Sequence, residues 1–133
     1  MRVVDASVVL GWLLREPLPD GHRRVLGDHV SGAEPAVAPE LLGYEVANVL
    51  VRGAGLGAAA AREGYERFLA LEIETFSLSD REYRAALELA LAHRLTVYDA
   101  GYVALAQALG ARFVTADRRL AERIAALAVT DVV

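Results

Sequence analysis

The sequence predicts an α/β protein with one mostly parallel β-sheet and helices on both faces of that sheet. Short apolar runs rich in β-branched residues alternate along the chain with longer segments of helical periodicity. Strands that are separated by helices in this way are typical of a parallel sheet. With 133 residues and no linker, repeat or low-complexity segment, the whole chain, residues 1–133, is expected to form a single domain with a proper core.

The predicted elements are bounded by recognisable turn and capping residues. The first helix has to stop before Glu16-Pro17, because the residue that precedes a proline avoids the helical conformation. Ser79 and Glu82 have the spacing of a capping box, and Gly110 ends the helix before it. The predicted strands are 2–5, 36–38, 73–76, 112–115 and 128–132, and the predicted helices are 6–15, 20–30, 40–52, 58–70, 79–93, 98–109 and 117–126.

Composition excludes several classes of function. The net charge is −4, there is no cysteine, and all 14 basic residues are arginine. A Walker A phosphate loop is excluded because it needs a lysine, and a disulfide framework or thiolate metal site is excluded because both need cysteine. No uncharged segment reaches the roughly 18 residues of a membrane span, and Asp5 interrupts the apolar run in which a signal peptide would lie. A cytoplasmic protein without membrane contact is expected.

Three acids are each alone in a long apolar segment. Asp5 is the only charged residue in the segment 3–14. Glu45 is the only one in 41–51, and Asp99 is the only one in 95–111. Segments this apolar belong to the interior, where an isolated carboxylate is costly unless something compensates its charge. A core that only had to fold would have no use for such acids. The sequence therefore predicts that they bind a cation.

The predicted topology brings two acids, Asp5 and Asp117, to one edge of the sheet. Asp5 ends the first strand, and Asp117 follows the strand 112–115. In an open parallel sheet the binding crevice lies beyond the carboxyl ends of the strands. Oxygen ligands without histidine or cysteine suit Mg²⁺ or Mn²⁺ better than zinc. The sequence thus predicts a divalent-metal site suited to phosphodiester chemistry.

Four segments, taken together and in order, resemble the PIN-domain ribonucleases, specifically toxins of the VapBC toxin–antitoxin type. Each motif is weak alone, but four in this order span nearly the whole chain. The segments are VVDAS at 3–7, PELLGYEVANVL at 39–50, TVYDAGYVALA at 96–106 and VTAD at 114–117. The resemblance implies an α/β/α sandwich with a five-stranded parallel sheet, a Mg²⁺- or Mn²⁺-dependent endoribonuclease, homodimerisation, and inhibition by a cognate antitoxin protein.

The same resemblance assigns roles to individual residues. It implies an acidic quartet that would hold one or two cations, with the glutamate binding directly or through water. The quartet is Asp5, Glu45, Asp99 and Asp117. Ser7 and Thr115 match hydroxyl positions that assist the metal or its waters. Gly101 departs from the family pattern, in which Ala or Ser is more usual, and weakens its helix by up to about 1 kcal/mol.

The implied reaction is hydrolysis of RNA by a metal-activated water, and it has alternatives. An aspartate at a helix start is often only an N-cap, which is the alternative for Asp5, Asp99 and Asp117. Glu45 cannot cap from the middle of a helix and needs a partner such as arginine if it is structural. Two other functions stay open. One is a noncatalytic PIN-like binding or scaffold module, and the other is a metal-dependent phosphatase of related topology.

Aromatic residues and histidines receive simpler interpretations. The aromatic residues are expected in the core or a dimer interface, and the three histidines on the surface; these are Trp12, Tyr44, Tyr98 and Tyr102, and His22, His29 and His93. The expected antitoxin surface is the first helix, with Val9, Trp12 and Leu13, together with part of the helix 40–52. Trp12 is the expected anchor, because aromatic residues dominate binding hot spots.

Overall fold

The structure, a computed structural model, describes residues 1–133. Strands and helices alternate as predicted, and helical segments lie between all consecutive strands. The strands are β1 (Arg2–Val4), β2 (Ala36–Pro39), β3 (Glu74–Phe76), β4 (Arg112–Thr115) and β5 (Thr130–Val132). The α-helices are α1 (Ala6–Leu14), α2 (Asp20–Val30), α3 (Leu41–Asn48), α4 (Ala58–Leu69), α5 (Asp80–His93), α6 (Val97–Leu109) and α7 (Arg118–Arg123). A π-helical turn, Val49–Gly53, continues α3, and a 3₁₀ turn, Ala125–Leu127, follows α7.

The five strands form one sheet in the order β3-β2-β1-β4-β5, and all four neighbouring pairs are parallel. The predicted α/β class with a five-stranded parallel sheet is therefore confirmed. From β1 the chain adds β2 and β3 on one side of the sheet, then returns to add β4 and β5 on the other. The direction of winding thus changes between β1 and β4. Such a switch point is where open α/β sheets place their ligand crevice.

Local capping residues act as predicted at two helices. Ser79 and Glu82 form the capping box at the start of α5, and Gly110 ends α6 with a φ of 60°, a left-handed conformation that glycine adopts without strain. Several ends differ from prediction by one to three residues; α7, for example, ends at Arg123 rather than at 126, and β5 begins at Thr130 rather than at 128. The helix expected over 40–52 changes to a π-turn after Asn48, and α6 begins one residue earlier than expected because Thr96 is its N-cap.

The core packs on both faces of the sheet. Its centre is the apolar pair Val3 and Val4 of β1 with Phe113 and Val114 of β4, all at most 1% exposed. Helices α1, α3 and α6 contribute further buried side chains to the same cluster. Each helix is also too short or too polar to be a candidate membrane span.

The first helix was predicted to contact the antitoxin through Val9, Trp12 and Leu13, and this prediction is wrong for Val9 and Leu13. Val9 is fully buried and Leu13 is 8% exposed, so both belong to the core and offer no surface. Trp12 is half-buried, and its indole Nε1 donates a hydrogen bond of 3.0 Å to the carbonyl of His22. Its ring is also stacked with that of His29. Trp12 therefore helps to join α1 to α2.

Burial distinguishes among the tyrosines and corrects the prediction for one histidine. Tyr102 is a core residue, 1% exposed. Tyr44 and Tyr98 are 81% and 63% exposed, so they are not core residues, and the dimer interface expected as the alternative stays a prediction. His22 is 1% exposed, so its predicted surface position is wrong. Helix-face orientation decides these cases, since neighbouring residues on a helix point in different directions.

Candidate active site

Asp5 lies at the centre of the site, directly after β1 and at the N-cap of α1. Its carboxylate is 7% exposed and accepts three hydrogen bonds. Oδ1 accepts from the Ser7 hydroxyl at 2.5 Å and from the Val8 amide at 3.2 Å, and Oδ2 accepts from the Thr115 hydroxyl at 2.5 Å. Burial raises the pKa of Asp5, and these hydrogen bonds oppose that rise.

Ser7 and Thr115 connect the ends of β1 and β4. The Ser7 hydroxyl accepts from the Ala116 amide at 2.9 Å while it donates to Asp5. The Thr115 hydroxyl accepts from the Asp117 amide at 2.9 Å while it donates to Asp5. The hydroxyls of Ser7 and Thr115, both predicted from the sequence to lie at the site, therefore fix the orientation of the buried Asp5 carboxylate, because each hydroxyl is itself held by a backbone amide.

Asp117 is the exposed member of the group. It is the N-cap of α7, where Oδ1 accepts from the amides of Arg119 and Leu120 at 2.9 and 3.1 Å. Both of these bonds use one oxygen of the carboxylate. Through Thr115, its backbone is tied to the side chain of Asp5. Capping is thus one real role of Asp117, as it is of Asp5.

Glu45 points from α3 toward the same crevice. It is half-buried, and its Oε2 accepts a hydrogen bond of 2.5 Å from the hydroxyl of Tyr102 on α6. Burial raises the pKa of Glu45, the bond from Tyr102 lowers it, and the negative charges of Asp99 and Asp5 raise it further. No arginine is paired with Glu45, so its partner is the neutral phenol rather than the cation that a structural role was expected to require.

Asp99 is not a helix cap. Thr96 occupies that position, and its hydroxyl accepts from the Asp99 amide at 3.0 Å. The half-buried Asp99 side chain makes no hydrogen bond or salt bridge of its own within the protein, and its charge acts on Glu45. The capping alternative for Asp99 is therefore wrong, and the fold gives this carboxylate no structural task.

The chemistry of the donor set fits a hard divalent cation. None of the chain's five salt bridges involves a site acid, so no protein cation neutralises the group. No three histidine or acidic side chains lie close enough together to enclose one ion. An ion at this site would therefore be held by one or two carboxylates, with water and substrate phosphate completing its shell, as is common for Mg²⁺. The donor set is less suited to zinc, whose protein sites are built mainly from histidine nitrogen and cysteine sulfur.

Comparison with known proteins identifies the family. The PIN domain family model matches residues 2–127, and the chain belongs to this family. It is 36% identical over 132 residues to Ribonuclease VapC3 of Pyrobaculum aerophilum, covering 94% of this chain and 95% of that one. It is 38% identical over 130 residues to Ribonuclease VapC9 of Mycobacterium tuberculosis, covering 92% of this chain and 90% of that one. The resemblance drawn from the four motifs is therefore confirmed.

A solved structure supports the same assignment. The crystal structure of PAE2754 from Pyrobaculum aerophilum superposes with a TM-score of 0.69 at 25% identity, covering 92% of this chain and 78% of that chain. The superposition covers nearly the whole chain and agrees with its α/β fold.

Sequence reasoning missed one residue that contacts a site acid. Tyr102 was expected in the core or a dimer interface, with no role at the site, yet its hydroxyl is the hydrogen-bond partner of Glu45. Burial, and then the charge of Glu45, raise the pKa of Tyr102, so the phenol stays protonated and remains a donor. A signal was available, because Tyr102 follows Asp99 by three residues and so lies on the same face of α6.

Proposed function

We propose that this protein is a Mg²⁺- or Mn²⁺-dependent endoribonuclease and the toxin component of a type II toxin–antitoxin system. The observation that carries the proposal is a group of acids, one of them almost fully buried, that no protein cation neutralises, at the switch point of the sheet. The names of the related ribonucleases supply the substrate class. A cytoplasmic location is part of the proposal and agrees with the absence of cysteine.

Each acid has a proposed part in the site. Asp5, Asp99 and Asp117 would share one or two cations, with at most two acids bound directly to any one ion and Glu45 binding directly or through a water. When bound, the cation supplies an activated water and stabilises the charge that grows on the scissile phosphate. Ser7 and Thr115 keep Asp5 oriented, because their hydroxyls donate to its two oxygens. Tyr102 holds Glu45 from the opposite side of the crevice.

A nuclease assay tests this proposal against the two alternatives. Wild-type protein is incubated with RNA, single-stranded DNA and a phosphomonoester, in Mg²⁺, in Mn²⁺ and in EDTA. We expect cleavage of RNA that depends on the metal and is lost in EDTA. Hydrolysis of the phosphomonoester alone would support a phosphatase, and no hydrolysis of any substrate by folded protein would support a binding module.

Metal binding is tested separately by thermal melting. A ligand that binds only the native state stabilises it by mass action, by about 2.7 kcal/mol at one hundred times its dissociation constant. We expect millimolar Mn²⁺ or Mg²⁺ to raise the melting temperature of the wild type and to leave that of Asp5→Ala unchanged. A wild-type melting temperature that is indifferent to both metals would contradict the site.

The proposed antitoxin surface moves away from the first helix. A largely apolar groove of about 430 Å³ lies between the end of α3 with its π-turn and α4, and Leu50, Val51, Leu56 and Tyr65 are among its lining residues. Val51 is 70% exposed there, and Arg62 also lines the groove. An apolar antitoxin segment with acidic flanks would be complementary to this surface. Val51→Glu should weaken inhibition by the protein encoded next to this one, while metal-dependent cleavage stays intact.

Homodimerisation is also proposed. Leu87 and Leu91 lie one turn apart on α5 and are 50% and 71% exposed, which is unusual for a surface that meets only water. Light scattering on wild type and Leu91→Ser tests this surface. A wild-type protein of monomeric mass at micromolar concentration would contradict the dimer.

A further inference from the structure

A second concavity lies beside the acids. It has a volume of about 190 Å³ and is enclosed by the start of α3, the end of β3, α5 and the first turn of α6. Its walls are mostly apolar or aromatic and include Phe76, Leu78, Tyr83, Val97, Tyr98 and Gly101. Glu40 is its one charged residue, and no basic residue lines it. The cavity is therefore unsuited to a phosphate and suited to a flat, uncharged group.

Two of its tyrosines present their rings to solvent. Tyr83 on α5 is 58% exposed and Tyr98 on α6 is 63% exposed, so much of each ring is unused by the fold. Neither ring is paired with another aromatic ring of the protein. Exposed aromatic faces at the mouth of an apolar cavity are the type of surface on which unpaired bases stack.

Helix geometry joins the cavity to the acidic site. Tyr98 and Gly101 are three residues apart on α6 and share the face that lines the cavity. Asp99 and Tyr102 are also three residues apart and share the neighbouring face, which meets Glu45. Tyr98 and Tyr102 are four residues apart and therefore neighbours on the helix surface, so the two faces are contiguous.

The α3 side of the crevice has the same arrangement. Leu41 lines the cavity, and Glu45 follows it by four residues on the same face of the helix. A strand that presents a phosphate to the acids can therefore place a neighbouring base in the cavity.

The cavity is larger because residue 101 is a glycine, although the backbone conformation at this position does not require one. A Cβ atom built on Gly101 would meet the Leu78 Cδ1 at 3.5 Å, an ordinary van der Waals contact. Its φ is not in the left-handed region, so no conformational need explains the glycine. The departure of Gly101 from the residue usual at this position thus has a local consequence, which is added room between α6 and Leu78.

We propose that this cavity, the base pocket, binds one unpaired nucleobase of the RNA strand adjacent to the cleaved phosphate, stacked on Tyr98 and Tyr83. The inference rests on the proposed ribonuclease function and adds to it a subsite for one base, which has to be unpaired to enter. The Glu40 carboxylate accepts hydrogen bonds, so it favours a base that carries an amino group. The apolar remainder of the pocket makes the preference among bases modest.

The test is cleavage of a short single-stranded RNA in which one abasic ribose is moved along the sequence. In the wild type, removing the base at one fixed distance from the cleaved bond should lower kcat/KM about 5- to 100-fold, whereas removal elsewhere has little effect. Tyr98→Leu should lower kcat/KM on the intact strand by a similar factor and abolish the sensitivity to the abasic position. Tyr98→Phe, which keeps the ring, should behave as the wild type.

Two further variants control for stability and for the rival occupant. Gly101→Ala adds one methyl group to the pocket and favours the helix, so reduced cleavage in this variant cannot be ascribed to unfolding. Val30→Ala removes an exposed apolar side chain of α2, outside both the pocket and the proposed dimer surface, and should keep the abasic sensitivity. The rival occupant is a second copy of the chain that covers the pocket. In that case Tyr98→Leu would change the mass measured by light scattering, and no abasic position would affect cleavage. That result would overturn the proposal.

A binding measurement separates this inference from the ribonuclease function on which it rests. Fluorescence anisotropy with Asp99→Asn protein measures affinity for the same intact and abasic strands without cleavage. If wild type cleaves no RNA, the ribonuclease proposal fails, and the anisotropy still decides whether a base is bound. If wild type cleaves RNA but neither abasic position nor Tyr98→Leu affects cleavage or affinity, the base pocket alone is wrong.

Discussion

Asp5 and His22 are both buried polar side chains at the α1 helix, but their surroundings are opposite. Asp5, at the start of α1, is 7% exposed and accepts hydrogen bonds from Ser7, Val8 and Thr115. His22, on α2 and packed against Gly11 of α1, is 1% exposed, and neither ring nitrogen has a hydrogen-bond partner.

The difference in hydrogen bonding means that the Asp5 carboxylate is held in a defined orientation, whereas the His22 imidazole is only accommodated in the core. A buried polar group with complete hydrogen bonding is held in one orientation, as a metal ligand has to be, whereas an unpaired one retains its desolvation penalty. The carboxylate end of α1 is thus organised for binding, and the imidazole contact between α1 and α2 is a weak point in stability. The predictions below test each side of this contrast.

Asp99→Asn should have the largest effect, and only on activity. The substitution preserves shape, and the fold makes no use of the carboxylate, while the Asp99 charge raises the pKa of Glu45. RNA cleavage should fall at least about 100-fold, since even outer-shell partners of a metal cost 10- to 100-fold. Stability without metal, measured by urea denaturation, should stay level or rise. Loss of stability with retained activity in the soluble fraction would make Asp99 a structural residue.

Gly11→Ala should be the most destabilising of the conservative changes. A Cβ on Gly11 would lie 2.3 Å from the His22 Cδ2 and 2.4 Å from its Nε2, so the ring has to move within a packed interface, at about 1–3 kcal/mol. In a His22→Ala background the same change should become stabilising by up to about 1 kcal/mol, because alanine favours a helix over glycine. A double-mutant cycle by urea denaturation measures the reversal of sign. Equal effects in both backgrounds would show that the two residues are not coupled.

Local sequence signals predicted the elements, and the topology rule predicted which of their ends meet. Ser79 and Gly110 bound their helices because capping depends on residues close in sequence. Asp5 and Thr115 could be assigned to one crevice, although they are 110 residues apart, because both follow strands of a parallel sheet.

Contacts between side chains of different helices could not be predicted in this way. The bond from Tyr102 to Glu45 spans 57 positions and depends on how α6 packs against α3. The burial of His22 depends on the approach of α2 to α1, for which the only sequence signal was a glycine inside an apolar helix. Tyr98 was expected in the core or a dimer interface because its segment is apolar, and the sequence could not show that its side chain points away from the core.

The stability of the protein should fall in mild acid because of His22. Burial, and then the positive charge of Arg15, lower the pKa of His22 below its ordinary value near 6.5. The unfolded chain therefore binds a proton more readily than the native state, and stability is lost as the pH falls from about 6.5 toward the folded pKa, by up to about 1.4 kcal/mol per pH unit. His22→Leu should be less sensitive, so its advantage over wild type in urea denaturation should widen from pH 7.5 to 5.5. A constant difference between the two proteins would contradict this explanation.

The smallest effect is expected at a carboxylate that is as well paired as Asp5 but exposed. Arg112 donates to Asp131 through Nε at 3.1 Å and through Nη2 at 2.5 Å, joining β4 to β5 at the edge of the sheet. The bond from Arg112 holds the pKa of Asp131 below its ordinary value, so this contribution is present above about pH 4 and is lost as the pH falls through the folded pKa. Both side chains are nearly half exposed, at 45% and 49%, and solvent screens them, so Asp131→Asn should cost less than about 1 kcal/mol at neutral pH and a smaller amount at pH 2. Urea denaturation at the two pH values measures the difference. A cost well above 1 kcal/mol would mean that hydrogen bonding, rather than burial, determines how much a carboxylate contributes to the stability of this fold. The difference between Asp5 and His22 would then be due to hydrogen bonding alone.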